Sequence, residues 1–188
     1  MKTVSFLMPT RNRFEWLFKA LNSIKKTCRD ASDIEILLRV DDDDYERITI
    51  LPVLQASYPV KPMIGTKGGY LQMGRYFNEL TAIADSRWCW MFDDDYEVFG
   101  NWHEQLAALQ CNATMGPAVN AEFYQLGGSR YSAFDTHIMQ GMIMPTAFLK
   151  TVQQSTPVDE HWMGLAKLNG WPFHVMRGVT IKHEGRPR

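Results

Sequence analysis

Three short, mostly apolar runs constrain this chain more than any other feature: Val4 to Met8, Ile34 to Val40 and Trp88 to Phe92. The second stops against Asp41-Asp42-Asp43-Asp44 and the third against Asp93-Asp94-Asp95. An apolar run of this length, bounded by turn residues, reads as a strand buried on both faces. Helical periodicity separates the runs. Phe14, Leu17, Leu21 and Ile24 form one stripe, Ile48, Ile50, Leu51 and Leu54 suggest a shorter helix that closes before Pro59, and Tyr70, Met73, Phe77, Leu80 and Ala84 form a further stripe. Asn12 and Glu15 stand where a capping box would start the first helix, and Lys25, Lys26 and Arg29 gather at its end, where the dipole favours cations. Pro62 to Ile64 supplies one more strand. Strand-helix alternation of this kind predicts a mainly parallel α/β sheet, and in such sheets ligands bind outside the carboxyl ends of the strands. Both aspartate runs fall there.

The second half alternates less cleanly. It predicts a short helix near Glu104 to Leu109, strands near Val119 to Tyr124 and His137 to Met144 around a Gly127-Gly128-Ser129 loop, a helix through Trp162, Leu165 and Leu168 stopping at Gly170, and a strand from Phe173 to Met176. At 188 residues and 45% hydrophobic side chains, the chain suits one domain able to bury a core without disulfides or a structural metal. Twenty basic against 21 acidic residues leave a formal net charge of -1, so no global positive field recruits nucleic acid or an anionic membrane. No run approaches the ~18 apolar residues of a membrane span. Cys28, Cys89 and Cys111 are odd in number and lack metal spacing, which fits thiols in a reducing compartment and a cytoplasmic protein.

The chemistry lies in the acids. In an extended chain Asp93 and Asp95 point to one side and Asp94 to the other. Two carboxylates so paired suit Mg²⁺ or Mn²⁺ in an open site completed by phosphate oxygens. A solvated acidic turn is the plain alternative, weakened by the apolar strand abutting it. Asp41, first after its strand, is placed to accept a hydrogen bond from a nucleobase or ribose, with Asp42 beside it, although four successive aspartates also make an ordinary turn. Lys67, Arg75 and the amides of Gly68-Gly69 offer local positive potential, with a solvated surface role as the plain alternative for each cation. Trp102 and Trp162 read either as core or rim residues or as flat stacking platforms for a ligand, and Met139, Met142 and Met144 as core.

Val4 through Arg13, with Pro9-Thr10-Arg11-Asn12-Arg13 at its end, then Arg39-Val40-Asp41-Asp42, then Met91-Phe92-Asp93-Asp94-Asp95, together resemble a family-two type glycosyltransferase of GT-A fold. The resemblance implies a single Rossmann-like GT-A domain, its parallel sheet flanked by helices with a small antiparallel part on the acceptor side. Residues 1–97 would bind the nucleotide sugar and residues 98–188 would supply acceptor and catalytic groups. It further implies a nucleotide-sugar site of Pro9, Thr10, Arg13, Asp41, Asp42, Lys67, Arg75, Asp93 and Asp94. Asp93 and Asp95 would hold Mn²⁺ or Mg²⁺, with His183 as a further metal or phosphate contact and Arg186 and Arg188 near the phosphates. Asp159 or Glu160, in Pro157-Val158-Asp159-Glu160-His161-Trp162, would be the base. The implied reaction moves one sugar from a nucleoside diphosphate donor to a hydroxyl-bearing acceptor, with inversion, and the Q-x-x-R-W signature of processive synthases is absent. Acceptor choice is expected to draw on a partner or a homodimer. Two rivals stay open: a metal-dependent nucleotidyl- or phosphoryl-transferase, and a sugar-nucleotide-binding module without turnover.

Overall fold

The computed structural model describes residues 1–109, 114–119, 141–171 and 173–183. The chain alternates β1 (Lys2–Thr10), α1 (Phe14–Thr27), β2 (Ile34–Asp41), α2 (Tyr45–Ser57), β3 (Val60–Gly65), α3 (Met73–Ile83) and β4 (Ser86–Met91). There follow β5 (Tyr96–Phe99), α4 (Trp102–Ala108), β6 (Thr114–Val119), β7 (Ile143–Pro145), α5 (Thr146–Leu149), α6 (Val158–Leu168) and β8 (Phe173–His183).

Among the described residues eight strands form one sheet in the order β3-β2-β1-β4-β7-β6-β8-β5. The β3-β2-β1-β4 half is parallel throughout, with Phe6 facing Ile36 on one side and Trp90 on the other. Beyond β4 the pairing mixes: β7 runs antiparallel to β4 and β6, β6 runs parallel to β8, and β5 runs antiparallel to β8. This is the mainly parallel sheet with an antiparallel part that the sequence predicts. β5 carries too little pattern to be read beforehand, and β8 continues well past Met176.

Strand alternation sends the two sides of each central strand into different cores. Val4, Phe6 and Met8 of β1, with Trp88 and Trp90 of β4, pack beneath α1, α2 and α4. Leu7, Cys89 and Met91 pack against α3, α5 and α6. The first core is densely aromatic: Phe6 lies 5.0 Å from Trp90 and 5.2 Å from Trp102, ring centre to ring centre. Trp102 and Trp162 are fully buried, with indole N–H groups donating to Thr27 and Gln154, so both are core residues and neither is a sugar platform. Met142 and Met144 are core as expected; Met139, Cys111 and the Gly127 loop lie outside the described residues. Cys28 and Cys89 are free thiols.

Strand order is what places the site. From β1 the chain winds outward through β2 to β3, then crosses back to lay β4 on the other side of β1. The loops after β1 and β4 therefore leave in opposite directions and open a crevice between them, the switch point where α/β sheets bind ligands.

Candidate active site

The turn between β1 and α1 forms one wall. Asn12 does not cap the helix, contrary to the sequence expectation. Its φ is +52°, its backbone N–H donates to Asp44 at 3.1 Å, and the cap position falls to Arg13. The reason is competition: Asp44 serves as cap of α2, accepting the N–H of Arg47, and its other oxygen captures Asn12. The turn so pinned spreads two arginines. Arg11 reaches Asp41 at 2.7 Å and also pairs with Asp43, while Arg13 reaches Asp94 at 2.9 Å and Asp95 at 2.7 Å.

At one end of the crevice Asp41 is buried and heavily engaged. Its Oδ1 accepts from Arg39 and from the Tyr76 hydroxyl at 3.0 Å, and its Oδ2 accepts from Arg11. Arg39 is itself buried in β2, where it also holds Glu79 at 3.1 Å and the Thr66 carbonyl at 2.6 Å. The Tyr76 ring lies 4.0 Å below its guanidinium, a cation–π stack. The Tyr76 oxygen receives the N–H groups of Gly68 and Gly69, so the glycine loop after β3 is tied to Asp41 through one phenol.

At the other end Asp93, Asp94 and Asp95 form a turn closed by Tyr96 N–H on the Asp93 carbonyl, rather than an extended strand end. Strict alternation is thereby lost, and one guanidinium spans the adjacent Asp94 and Asp95. Asp94 faces β1, accepting from the Thr10 hydroxyl at 2.6 Å. Burial, only partly offset by Arg13 and Thr10, pushes its carboxyl up to about 6. Burial and then the neighbouring Asp95 push Asp93 up to about 6 as well. For Asp95 burial also opposes charge, but His183 and Arg13 outweigh it and hold this carboxyl below the usual range. His183 Nε2 is 3.4 Å from Asp95 Oδ2, brought there because His183 pairs with Tyr96 across β8 and β5. The Asp95 Oδ1 is buried with no hydrogen-bond partner. The cluster thus lacks positive charge at one defined oxygen.

Two adjoining cavities open on these acids. The first, of about 280 Å³, is lined at one end by Arg11, Arg39, Asp41 and Tyr76 and at the other by Thr10, Arg13, Asp93 and Asp94. The second, of about 140 Å³, is lined by Phe77, Met91, Tyr96, Thr156, Val158 and His183 among others. Tyr70, Met73 and Asp93 line both.

Of the residues singled out in the sequence, Pro9, Thr10, Arg13, Asp41, Asp93 and Asp94 line the first cavity, with Asp95 and His183 behind its acidic end. Asp42, Lys67 and Arg75 line neither cavity. Asp42 accepts the Lys67 N–H, Lys67 Nζ pairs with Asp43 at 3.0 Å, and Arg75 holds the Thr66 carbonyl at 2.6 Å. Asp159 and Glu160 sit in the first turn of α6, whose leading residues Pro157 and Val158 line the second cavity. Glu160 is exposed, and the side chain of Asp159 lies outside the described residues, as do Arg186 and Arg188. Arg11, Arg39, Tyr70 and Tyr76 were not foreseen in these places. Arg39 alone carried a signal, a permanent charge inside a strand otherwise apolar after Glu35.

Among the described residues no three His, Cys, Asp or Glu side chains converge as a ready-made metal cage. A pair of acids with one unmet oxygen fits a hard divalent ion whose remaining ligands come from phosphate and water.

A sheet wound both ways from its first strand, with acids gathered at the switch point, is shared with solved glycosyltransferases of GT-A fold. The S. aureus TarS 1-349 structure in complex with UDP-GlcNAc superposes with a TM-score of 0.75 at 17% identity, over 99% of this chain and 60% of that one. A mannosyltransferase from Pyrobaculum calidifontis, PcManGT, in complex with GDP-Man and Mn2+, superposes with a TM-score of 0.70 at 14% identity, over 95% and 56%. The chain belongs to glycosyl transferase family 2, whose sequence model matches residues 5–161. No curated protein matches its sequence. The chain spans about 60% of the length of the TarS 1-349 structure. Among the described residues no helix is long and apolar enough to cross a membrane.

Proposed function

We propose that this chain binds a nucleoside diphosphate sugar with a divalent ion, Mn²⁺ or Mg²⁺, and transfers the sugar in a single addition to a hydroxyl-bearing acceptor with inversion. The observation that carries the reading is the buried, unpartnered Oδ1 of Asp95, beside an Asp93 carboxyl raised by burial and by its neighbour. Bound there, a divalent ion supplies Lewis-acid stabilisation of the charge that grows on the departing diphosphate. The complexes of the two solved relatives, with UDP-GlcNAc and with GDP-Man and Mn2+, agree with such a ligand.

Asp93 and Asp95 would hold the ion, and Thr10 and Arg13 fix Asp94 and Asp95 so that the acids do not splay. Arg13, shared between two acids, adds positive potential beside the leaving group. Asp93 lines both cavities, which supports a nucleotide in the first with its sugar reaching toward the second. A carboxylate in the first turn of α6, Asp159 or Glu160, would take the proton from the acceptor oxygen as it attacks the anomeric carbon from the face opposite the diphosphate. Free Cys28 and Cys89 suit a reducing, cytoplasmic setting.

The test is release of nucleoside diphosphate from a panel of sugar nucleotides with Mn²⁺, Mg²⁺ or chelator, in the native chain and in Asp95→Asn. Metal-dependent release, lost in the variant, is expected. Release of pyrophosphate or nucleoside monophosphate would point to the phosphoryl- or nucleotidyl-transfer rival. Binding without turnover for every acceptor class would leave a binding module.

A further inference from the structure

The lining of the second cavity bears on which sugar this chain would transfer. At about 140 Å³ the cavity is far smaller than the roughly 300–1,000 Å³ of a drug-sized pocket, so it suits a single ring. Phe77 of α3, Met91 of β4 and Val158 of α6 all line it, and all three are buried members of one hydrophobic core. Met73, packed against that core, lines it as well. The floor of the cavity is therefore the core itself, reached where α3, the end of β4 and the start of α6 meet.

Polar groups are sparse and already engaged. Among the described residues, Asp93, Thr156 and His183 are the polar members of the lining, with the hydroxyls of Tyr70 and Tyr96 the remainder. Thr156 Oγ1 receives the Gly74 N–H at 2.8 Å, His183 Nε2 lies 3.4 Å from Asp95, and Asp93 belongs with the ion. A hexose carries a hydroxyl on nearly every ring carbon and a hydroxymethyl beyond them. A hydroxyl directed at Phe77, Met91 or Val158 would give up water and gain no partner. A methyl group in the same place has no hydrogen bond to lose and buries apolar surface.

We propose that the transferred sugar is a 6-deoxyhexose, its terminal methyl seated against Phe77, Met91 and Val158, and that this floor discriminates against the hexose with a hydroxymethyl there. The proposal deepens the nucleotide-sugar reading given above and rests on it. An acetamido sugar also offers a methyl, but it brings an amide N–H and C=O that the floor cannot pair.

The experiment is calorimetric titration of the native protein, with Mn²⁺, by donors matched in everything but the C6 oxygen. The pairs are UDP-glucose with UDP-6-deoxyglucose, dTDP-glucose with dTDP-6-deoxyglucose, and GDP-mannose with GDP-6-deoxymannose. Each pair is run beside its bare nucleoside diphosphate, and UDP-N-acetylglucosamine serves as the acetamido probe. Where the nucleotide binds, the deoxy donor should bind about 10–100-fold more tightly than its hydroxylated partner. In Val158→Thr a hydroxyl on the floor offers that oxygen a partner, so the ratio should shrink several-fold while the affinity for bare nucleoside diphosphate holds. General loosening of α6 would instead lower Tm and weaken both members of a pair together. Equal affinities within every pair, or tighter binding of the hexose or of the acetamido sugar, overturn the proposal and leave the donor site standing. An unchanged ratio in folded Val158→Thr overturns the role of the floor. If no nucleoside diphosphate binds, the donor-site reading falls and takes this proposal with it.

Discussion

With divalent ions chelated, the protein should become less stable as the pH rises from about 5 to about 7.5, the reverse of ordinary acid denaturation. Asp93 and Asp94 have carboxyls pushed up to about 6 by burial, against about 3.9 in an unfolded chain. Between those values the folded state binds more protons than the unfolded state. Unfolding then releases protons, and the free energy of unfolding falls as pH rises. Each group, shifted by about two pH units, contributes at most about 3 kcal/mol. Solvent reaches the half-buried Asp93, and the three adjacent acids do not act independently, so about 3 kcal/mol in sum is the working figure, or roughly 6–12 °C in Tm for a domain of this size. The carboxyls held low, those of Asp33, Glu35, Asp43 and Asp95, work in the opposite sense but titrate below the usual carboxylate range, outside this window. The assay is a thermal melt across pH with chelator or with saturating Mn²⁺. The ion should raise Tm more at the upper pH, because it binds the ionised acids, and Asp94→Asn should flatten the chelated profile by about half. A chelated Tm that is constant or climbs over this range would refute the account of buried, uncompensated charge.

Three further outcomes are expected. Asp159→Asn or Glu160→Gln, whichever removes the base, should lower kcat by about 10²–10⁴ while leaving nucleotide affinity intact; full turnover in both would strip the first turn of α6 of that role. Gly100→Ala should cost more than about 2 kcal/mol in a urea melt, because its φ is +95° and a Cβ there would lie 2.1 Å from the Gly178 carbonyl oxygen. In Gly74→Ala two effects compete, a helix-propensity gain of about 1 kcal/mol and an overpacking cost of about 1–3 kcal/mol. The Cβ would meet the Ser155 backbone at 2.8 Å, so a net loss in Tm is the expected result, and a gain would show that residues 154–156 yield.

The parallel half of the sheet was legible because each of its strands is buried on both faces and each is followed by a helical stripe. Asp41, Asp93 and Asp94 were legible as neighbours of one crevice for the same reason, since position at a strand's carboxyl end is a property of sequence order, whereas Arg13 came only from the resemblance. What sequence order does not carry is pairing across space. Tyr76 stands outside the helical stripe read from the sequence, and only the fold shows its hydroxyl joining Gly68, Gly69 and Asp41. The Asn12 cap failed on the same ground: local spacing favoured it, and an acid 32 residues away took its N–H. The split between Asp94 and its neighbours assumed an extended backbone, whereas the chain turns at once into β5.

The segment from Arg11 to Arg13 has a consequence for how this sequence tolerates change. Surface connections usually accept insertions and deletions. Here three consecutive residues brace the ends of two strands that do not pair with each other: Arg11 the end of β2, Arg13 the turn after β4, and Asn12 between them held by Asp44. One residue added or removed would shift both arginines out of step with their acids at once, however easily the remainder of the sheet absorbed it. Length, more than composition, is what this turn must preserve.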